Sequence, residues 1–342
     1  MFGTQRLLLA SLSLGLAITA AQITAARAQE TRLAFGTTLS PSDPINIEVF
    51  QRWAGRVNEA GKGFVRIDMR DGPTIANHTN FYERVLDDVI QISWGLQGAV
   101  GGKFKLSSVM GLPFSVDKAA EGSVAYWRLY KSGAIESDYN DIIPLALVAF
   151  PQAGLHFAKR PGSLDTLNGL KVATFAKLQG DIARSLGAAP VSLPISDIYE
   201  VVNRGVADGV LLQWTGISIF KLDEVAKFHV EVPLGSGQGM IFMSRKRFEG
   251  LPANVQKVLL DSSGEELSRE FGAFWDRRNR LGREKVEAQG SAHAIVTLTP
   301  EQERSWRQKI DPVLAEWKQA TPNGEALQGR MKDLLSKVEP SK

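Results

Sequence analysis

The sequence predicts an α/β protein of two lobes, joined by crossing strands and a long shared helix. Three observations carry that prediction. The chain has 342 residues, about two domains' worth at ~100–200 residues each. Short β-rich runs alternate with helical periodicity along most of it, which is the pattern of α/β architecture. One apolar helical pattern runs from about Pro252 to Gln289. At 1.5 Å per residue it would be roughly 55 Å long, more than one domain across, and so suited to be a strut between two.

The elements follow in order. Residues 1–28 read as a signal peptide, with Arg6 as the positive region, Leu7–Ala21 as the apolar stretch and Ala26-Arg27-Ala28 as a small-x-small site. Cleavage is expected after Ala28, leaving an exported, soluble chain. Strands are expected at Leu33–Thr37, Phe64–Met69, Val89–Trp94, Leu145–Phe150, Leu155–Ala158, Lys171–Phe175, Gly209–Leu212, Met240–Ser244 and Ala294–Leu298. Several are apolar at consecutive positions, as strands covered on both faces are.

Helix signals lie between these runs. Ile47, Phe50, Ala54 and Val57 recur at helix spacing behind Asp43-Pro44, an N-cap followed by Pro at the first helical position. Thr299 and Gln302 have the spacing of a capping box. Within the 252–289 pattern, Gly264, Gly272 and Gly282 should each weaken the helix by about 1 kcal/mol relative to alanine. The segment order places residues 29–152 in lobe one, completed by about 237–262. Residues 153–236 form lobe two, completed by about 263–336, with the long helix 252–289 shared.

Composition excludes several classes of function. The net charge is +3 and there is no cysteine. Removal of Arg6 and Arg27 leaves the rest nearly neutral, unlike the concentrated basic footprint of a nucleic-acid binder. Without cysteine there are no disulfides, thiolate nucleophiles or cysteine metal sites. His78, His156, His229 and His293 are far apart in sequence, so no local metal motif exists and no metal or other cofactor is implied. The glycines from Gly95 to Gly102 lack the P-loop spacing, and Ser115–Lys118 matches S-x-x-K without its companion motifs. No catalytic constellation emerges, so an enzyme is not expected. An exported two-lobed body without catalytic machinery suits capture of a ligand in a cleft that closes on it.

A family resemblance sharpens this. Ser163–Val172 (SLDTLNGLKV), Leu186–Val191 (LGAAPV) and above all Tyr199–Gly209 (YEVVNRGVADG) resemble the DctP-type solute receptors of tripartite ATP-independent periplasmic (TRAP) transporters. Phe220–Lys227 and Ser244–Pro252 continue in register, and Ser93-Trp94-Gly95 and Leu112-Pro113-Phe114 match on the N-terminal side. The resemblance implies a two-lobed periplasmic solute-binding fold. It also implies delivery of a small organic acid to the small and large membrane subunits of a TRAP transporter, with the receptor a monomer. Alternatives are an exported protein that presents its ligand to a sensor kinase, and an exported enzyme.

In that family an arginine usually seats the ligand carboxylate at the position of Ala173, and some members use a second at that of Leu155. Neither arginine is present. Phe150, Phe157, Phe175 and Trp214 are nearby, so the expected ligand is a monocarboxylate with a hydrophobic or aromatic body. Lys177 is the expected anchor, at the start of a helix, with His156 and Gln213 supplying hydrogen bonds. Trp94 and Trp214 follow apolar strands and should line the cleft.

Overall fold

A computed structural model describes residues 30–340. The expected signal peptide and its cleavage point lie outside them. The chain first builds β1 (Thr31–Thr37), α1 (Gln51–Ala60), β2 (Val65–Asp71), α2 (Phe81–Leu86), β3 (Ile92–Leu96), α3 (Ala119–Lys131) and β4 (Ile142–Ala149). It then crosses to β5 (Gly154–Phe157), β6 (Lys171–Thr174), α4 (Lys177–Ser185), β7 (Ala189–Ser192), α5 (Ile198–Asn203), β8 (Gly209–Leu212), α6 (Trp214–Ile219) and β9 (Phe228–Glu231). It returns through β10 (Gln238–Ser244), α7 (Arg245–Glu249) and α8 (Ala253–Asp261). The chain closes with α9 (Glu265–Glu287), β11 (Ala294–Thr297), α10 (Pro300–Ala320) and α11 (Gly324–Ser336).

Two sheets result. The first has the order β2-β1-β3-β10-β4 and the second β11-β9-β5-β8-β6-β7. The crossings are β4 to β5 and β9 to β10, and each puts an antiparallel strand among parallel ones. Both faces of both sheets are covered, which is why the strands read as apolar runs. In the first sheet, Leu33, Phe35 and Trp94 pack with α1, α8 and the first half of α9. Its other face, with Leu147, Met240 and Phe242, packs with α2, α3 and α11. In the second sheet, Leu155, Val172 and Leu211 meet α4 and α10. Ala173, Val210 and Leu212 meet α5, α6 and Val286 of α9. The gap between the lobes therefore has two flanks, one bounded by α9 and the other by α10.

Local signals hold where the sequence is explicit. Asp43 Oδ1 accepts the Ile45 N–H at 3.1 Å, capping the helix that Pro44 opens. Thr299 and Gln302 form the reciprocal capping box.

Three expectations need correction. The 252–289 helix breaks at Ser262–Gly264, because Gly264 adopts φ +89° and donates its N–H to the Leu145 carbonyl at 2.7 Å. β3 begins at Ile92 instead of Val89, after a turn in which Asp88 has φ +57°. α11 packs its Leu327 and Met331 into the first lobe and not the second. Two strands were not legible: β7 is an edge strand containing Pro190, and β9 alternates polar His229 and Glu231 into its run.

Candidate functional site

Helix α9 organises one flank of the gap. Phe271, Trp275, Asn279, Gly282 and Val286 recur at spacings of three and four and so lie along one stripe. Phe271 and Trp275 belong to the core of lobe one, and Val286 to that of lobe two. Asn279 Oδ1 accepts the Thr215 N–H of α6 at 3.2 Å. The lobe junction therefore falls between Trp275 and Asn279.

Gly272 and Gly282 are required by close approach, and not merely tolerated as weak points of the helix. A Cβ at Gly272 would strike the Ala119 carbonyl of α3, and one at Gly282 would sit 2.5 Å from the Trp214 carbonyl.

On the lobe-one side the flank is a wall of rings. Trp94 lies 5.5 Å from Phe50 and 6.2 Å from Phe271 between centroids, with half-buried His78 edge-on at 6.3 Å. Trp275 meets Phe150 at 5.0 Å, where β4 ends and the chain crosses. Phe50 is brought in by a π-helical turn, Asn46–Phe50, ahead of α1. Such turns are frequent at functional sites. The indole nitrogens of Trp94 and Trp275 are both buried and have no acceptor among the described residues.

On the lobe-two side the flank holds a line of histidines. His156 Nε2 is 2.9 Å from the Leu212 carbonyl, His156 Nδ1 is 2.8 Å from His229 Nδ1, and His229 Nε2 is 2.9 Å from His293 Nδ1. A carbonyl only accepts, so His156 Nε2 carries hydrogen and its Nδ1 accepts from His229. His229 in turn accepts from His293. The outer His293 Nε2 faces Gln289 Oε1 at 2.9 Å and Lys227 Nζ at 3.4 Å. Burial pulls His156 down to about 4. Burial and then the neighbouring His156, His293 and Lys227 pull His229 to about 2. The inner two are thus neutral at pH 7. Trp214 rests against this line, 4.7 Å from His156 and 5.0 Å from His229, and donates to Glu231 Oε1 at 3.2 Å. Arg283 of α9 holds that carboxylate at 2.7 Å.

Sequence spacing gave no sign that three of the four histidines meet. β5, β9 and the turn before β11 bring them together. Their nitrogens bind one another, and among the described residues no group of three or more potential ligands is arranged for a metal ion.

The expected site residues divide between the flanks. His156, Ala173, Phe175 and Trp214 share the α9 flank of lobe two, with Gln213 capping α6 beside them. Trp94 stands on the same flank in lobe one. Leu155 and Phe157 turn to the α10 side of the second sheet instead. Lys177 also stands apart from the α9 flank: its side chain is 81% exposed, pairs with Asp181 at 2.6 Å and Glu316 at 3.7 Å, and lies on the α10 flank. A cavity of about 440 Å³ opens there, bounded by Gln97, Phe104, Gln238, Lys177, Gln179 and Trp317. Its Gln97 amide is already engaged by the Tyr126 and Tyr139 hydroxyls at 2.5 and 2.9 Å. His156 is likewise committed to protein partners.

The family model described as bacterial extracellular solute-binding protein, family 7 (DctP), matches residues 35–320. The chain belongs to this family. As a family 7 protein it resembles TsaT of Comamonas testosteroni, named an outer membrane transporter protein, at 26% identity over 80% of this chain and 82% of that one. In fold it resembles a marine metagenome TRAP solute-binding protein described as specific for aromatic acid ligands, with TM-score 0.82, 23% identity and coverage of 91% and 100%. A TRAP solute-binding protein of Rhodoferax ferrireducens, solved with copurified benzoate, gives TM-score 0.80, 22% identity and coverage of 90% and 98%. At these identities the solved structures establish the two-lobed fold. Among the described residues no helix of this family 7 chain is long and apolar enough to cross a membrane.

The sequence missed Phe271, Trp275 and the histidine line. The aromatic positions in the 252–289 pattern were visible, but only the packing of α9 shows that Phe271 meets Trp94 and that Trp275 meets Phe150.

Proposed function

We propose that this chain is the periplasmic solute receptor of a TRAP transporter and captures an aromatic monocarboxylate on the α9 flank of the interlobe gap. Closure of the lobes then presents the loaded receptor to the membrane subunits. One observation carries the choice of ligand. The position where the family usually places a carboxylate-binding arginine is Ala173, fully buried in an apolar cluster on the α9 side of the second sheet, and the rings packed along that side are Trp94, Phe150, Phe271, Trp275 and Trp214. Such a wall suits one flat apolar body. A dicarboxylate would bring a second buried charge that nothing there pairs, which is strongly unfavourable. The aromatic ligands of the two structural relatives support the same reading.

The test is a thermal-shift comparison of benzoate, 3-hydroxybenzoate and mandelate with succinate and malate. A ligand at 100 times its Kd adds about 2.7 kcal/mol to the folded state, so binding is readable as a raised melting temperature. The aromatic acids are expected to raise it and the C4-dicarboxylates to leave it unchanged. Stabilisation by succinate or malate in preference to the aromatic acids would overturn the reading.

A further inference from the structure

Six of the seven tryptophans, all but half-buried Trp127, divide sharply by what their indole N–H groups do. Trp53 donates to Ser263 Oγ at 3.1 Å, Trp214 to Glu231, Trp306 to the Leu164 carbonyl at 2.7 Å and Trp317 to Ser108 Oγ at 2.8 Å. Trp94 and Trp275 donate to nothing among the described residues, although both are more than nine-tenths buried, at 6% and 7% exposure. A buried donor left unpaired costs at least as much as a lost hydrogen bond. Finding two in one ring cluster is therefore informative. Their positions are equally specific. Trp94 is the central residue of β3, and Trp275 is the last aromatic residue of the α9 stripe before the lobe junction. Phe271 touches both rings, at 6.2 and 6.3 Å.

We propose that Trp94 Nε1 and Trp275 Nε1 are the hydrogen-bond donors that fix the oxygen atoms of the bound acid, in place of the absent arginines. This rests on the aromatic-acid reading above and deepens it. The ligand's carboxylate and any ring hydroxyl take the two indole N–H groups. Hydrogen bonds to a charged acceptor are stronger than neutral ones, so two indoles hold one carboxylate. Having no charge of their own, they do not compensate a second. The same pair therefore sets selectivity for monoanions over dianions.

The experiment measures affinity for benzoate and 3-hydroxybenzoate by calorimetry in the wild type, W94F, W275F and K177M. Phenylalanine keeps an aromatic ring and removes the donor. Each Trp→Phe variant is expected to lose about tenfold or more in affinity. Its melting temperature without ligand checks only that the fold survives, because the smaller ring leaves a cavity in the core whatever the N–H was doing. K177M is expected to bind as the wild type does. Aromatic-acid affinity unchanged within threefold in both Trp variants would overturn the inference while leaving the proposed function standing. So would a loss confined to K177M, which would move the site to the α10 flank. If the wild type binds neither acid, the proposed function falls. The same four proteins are then titrated with whichever member of an organic-acid library stabilises the wild type, and unchanged affinity in both Trp variants overturns the inference there too.

Discussion

The two sides of the α9 flank are built from opposite kinds of polarity. In lobe two, His156, His229 and His293 satisfy one another from the Leu212 carbonyl outward. Trp214, lying against them, is fixed through Glu231 to Arg283. In lobe one, Trp94 and Trp275 bury equally polar N–H groups and give them no partner among the described residues. A saturated network is rigid, because every displacement breaks a bond. An unsaturated wall is available to something that brings its own acceptors. The contrast suggests a division of labour, with lobe two supplying a fixed surface and lobe one the recognition.

The largest effect is expected where the strut touches each lobe. Gly272→Ala pushes α9 off the Ala119 carbonyl of α3, and Gly282→Ala pushes it off the Trp214 carbonyl. Each substitution should cost about 1–3 kcal/mol or more, the usual range for overpacking, as measured by urea denaturation. Ligand affinity separates them further, because only Gly282→Ala displaces the rigid lobe-two wall at Trp214. Two variants of normal stability would mean that the helices can separate freely, and the strut would then not couple the lobes.

A smaller effect probes the histidine line through pH. Both inner histidines have folded values well below the ordinary 6.5, at about 4 and about 2. The unfolded chain therefore takes up protons first as pH falls. Stability contributed by the neutral line is complete above pH 6.5 and is lost on descending towards pH 4, by about 1.4 kcal/mol per unit for each histidine. Chemical melts at half-unit intervals should show that slope in the wild type. His156→Leu with His229→Leu should flatten it, whatever the double variant's stability at neutral pH. An equal slope in both proteins would assign the acid sensitivity to other groups, and the lobe-two wall would lose its claim to special rigidity.

The smallest effect belongs to the other flank. Lys177→Met removes an exposed ammonium that pairs with Asp181 and Glu316, and exposed pairs contribute about 0–1 kcal/mol. The melting temperature is expected to stay within a degree or two. A larger drop would mean that the α10 flank holds the lobes together more tightly than its exposed ion pairs imply.

Much of the fold was legible because its signals are local. Apolar runs marked seven of the eleven strands within about two residues and β3 with a late start. Asp43-Pro44 and Thr299–Gln302 set helix starts through hydrogen bonds that reach only two or three residues. The family was legible too, since Tyr199–Gly209 and its companions stand in order along the chain. The break at Gly264 was not, because the carbonyl that receives its N–H belongs to Leu145, more than a hundred residues away in sequence.

The site shows the same boundary more sharply. From sequence alone it was settled that the positions matching the family's arginines hold Ala173 and Leu155 and that cysteine chemistry is impossible. Those are statements about which side chains exist. Only the tertiary structure decided that Lys177 is turned out to acidic partners, that histidines 73 and 64 positions apart are hydrogen-bonded, and that Trp94 and Trp275 keep their donors free. Hydrogen bonding depends on distance and direction in space. Between residues on different strands and helices, those are set by how the sheets pack on α9 and by nothing in the spacing along the chain.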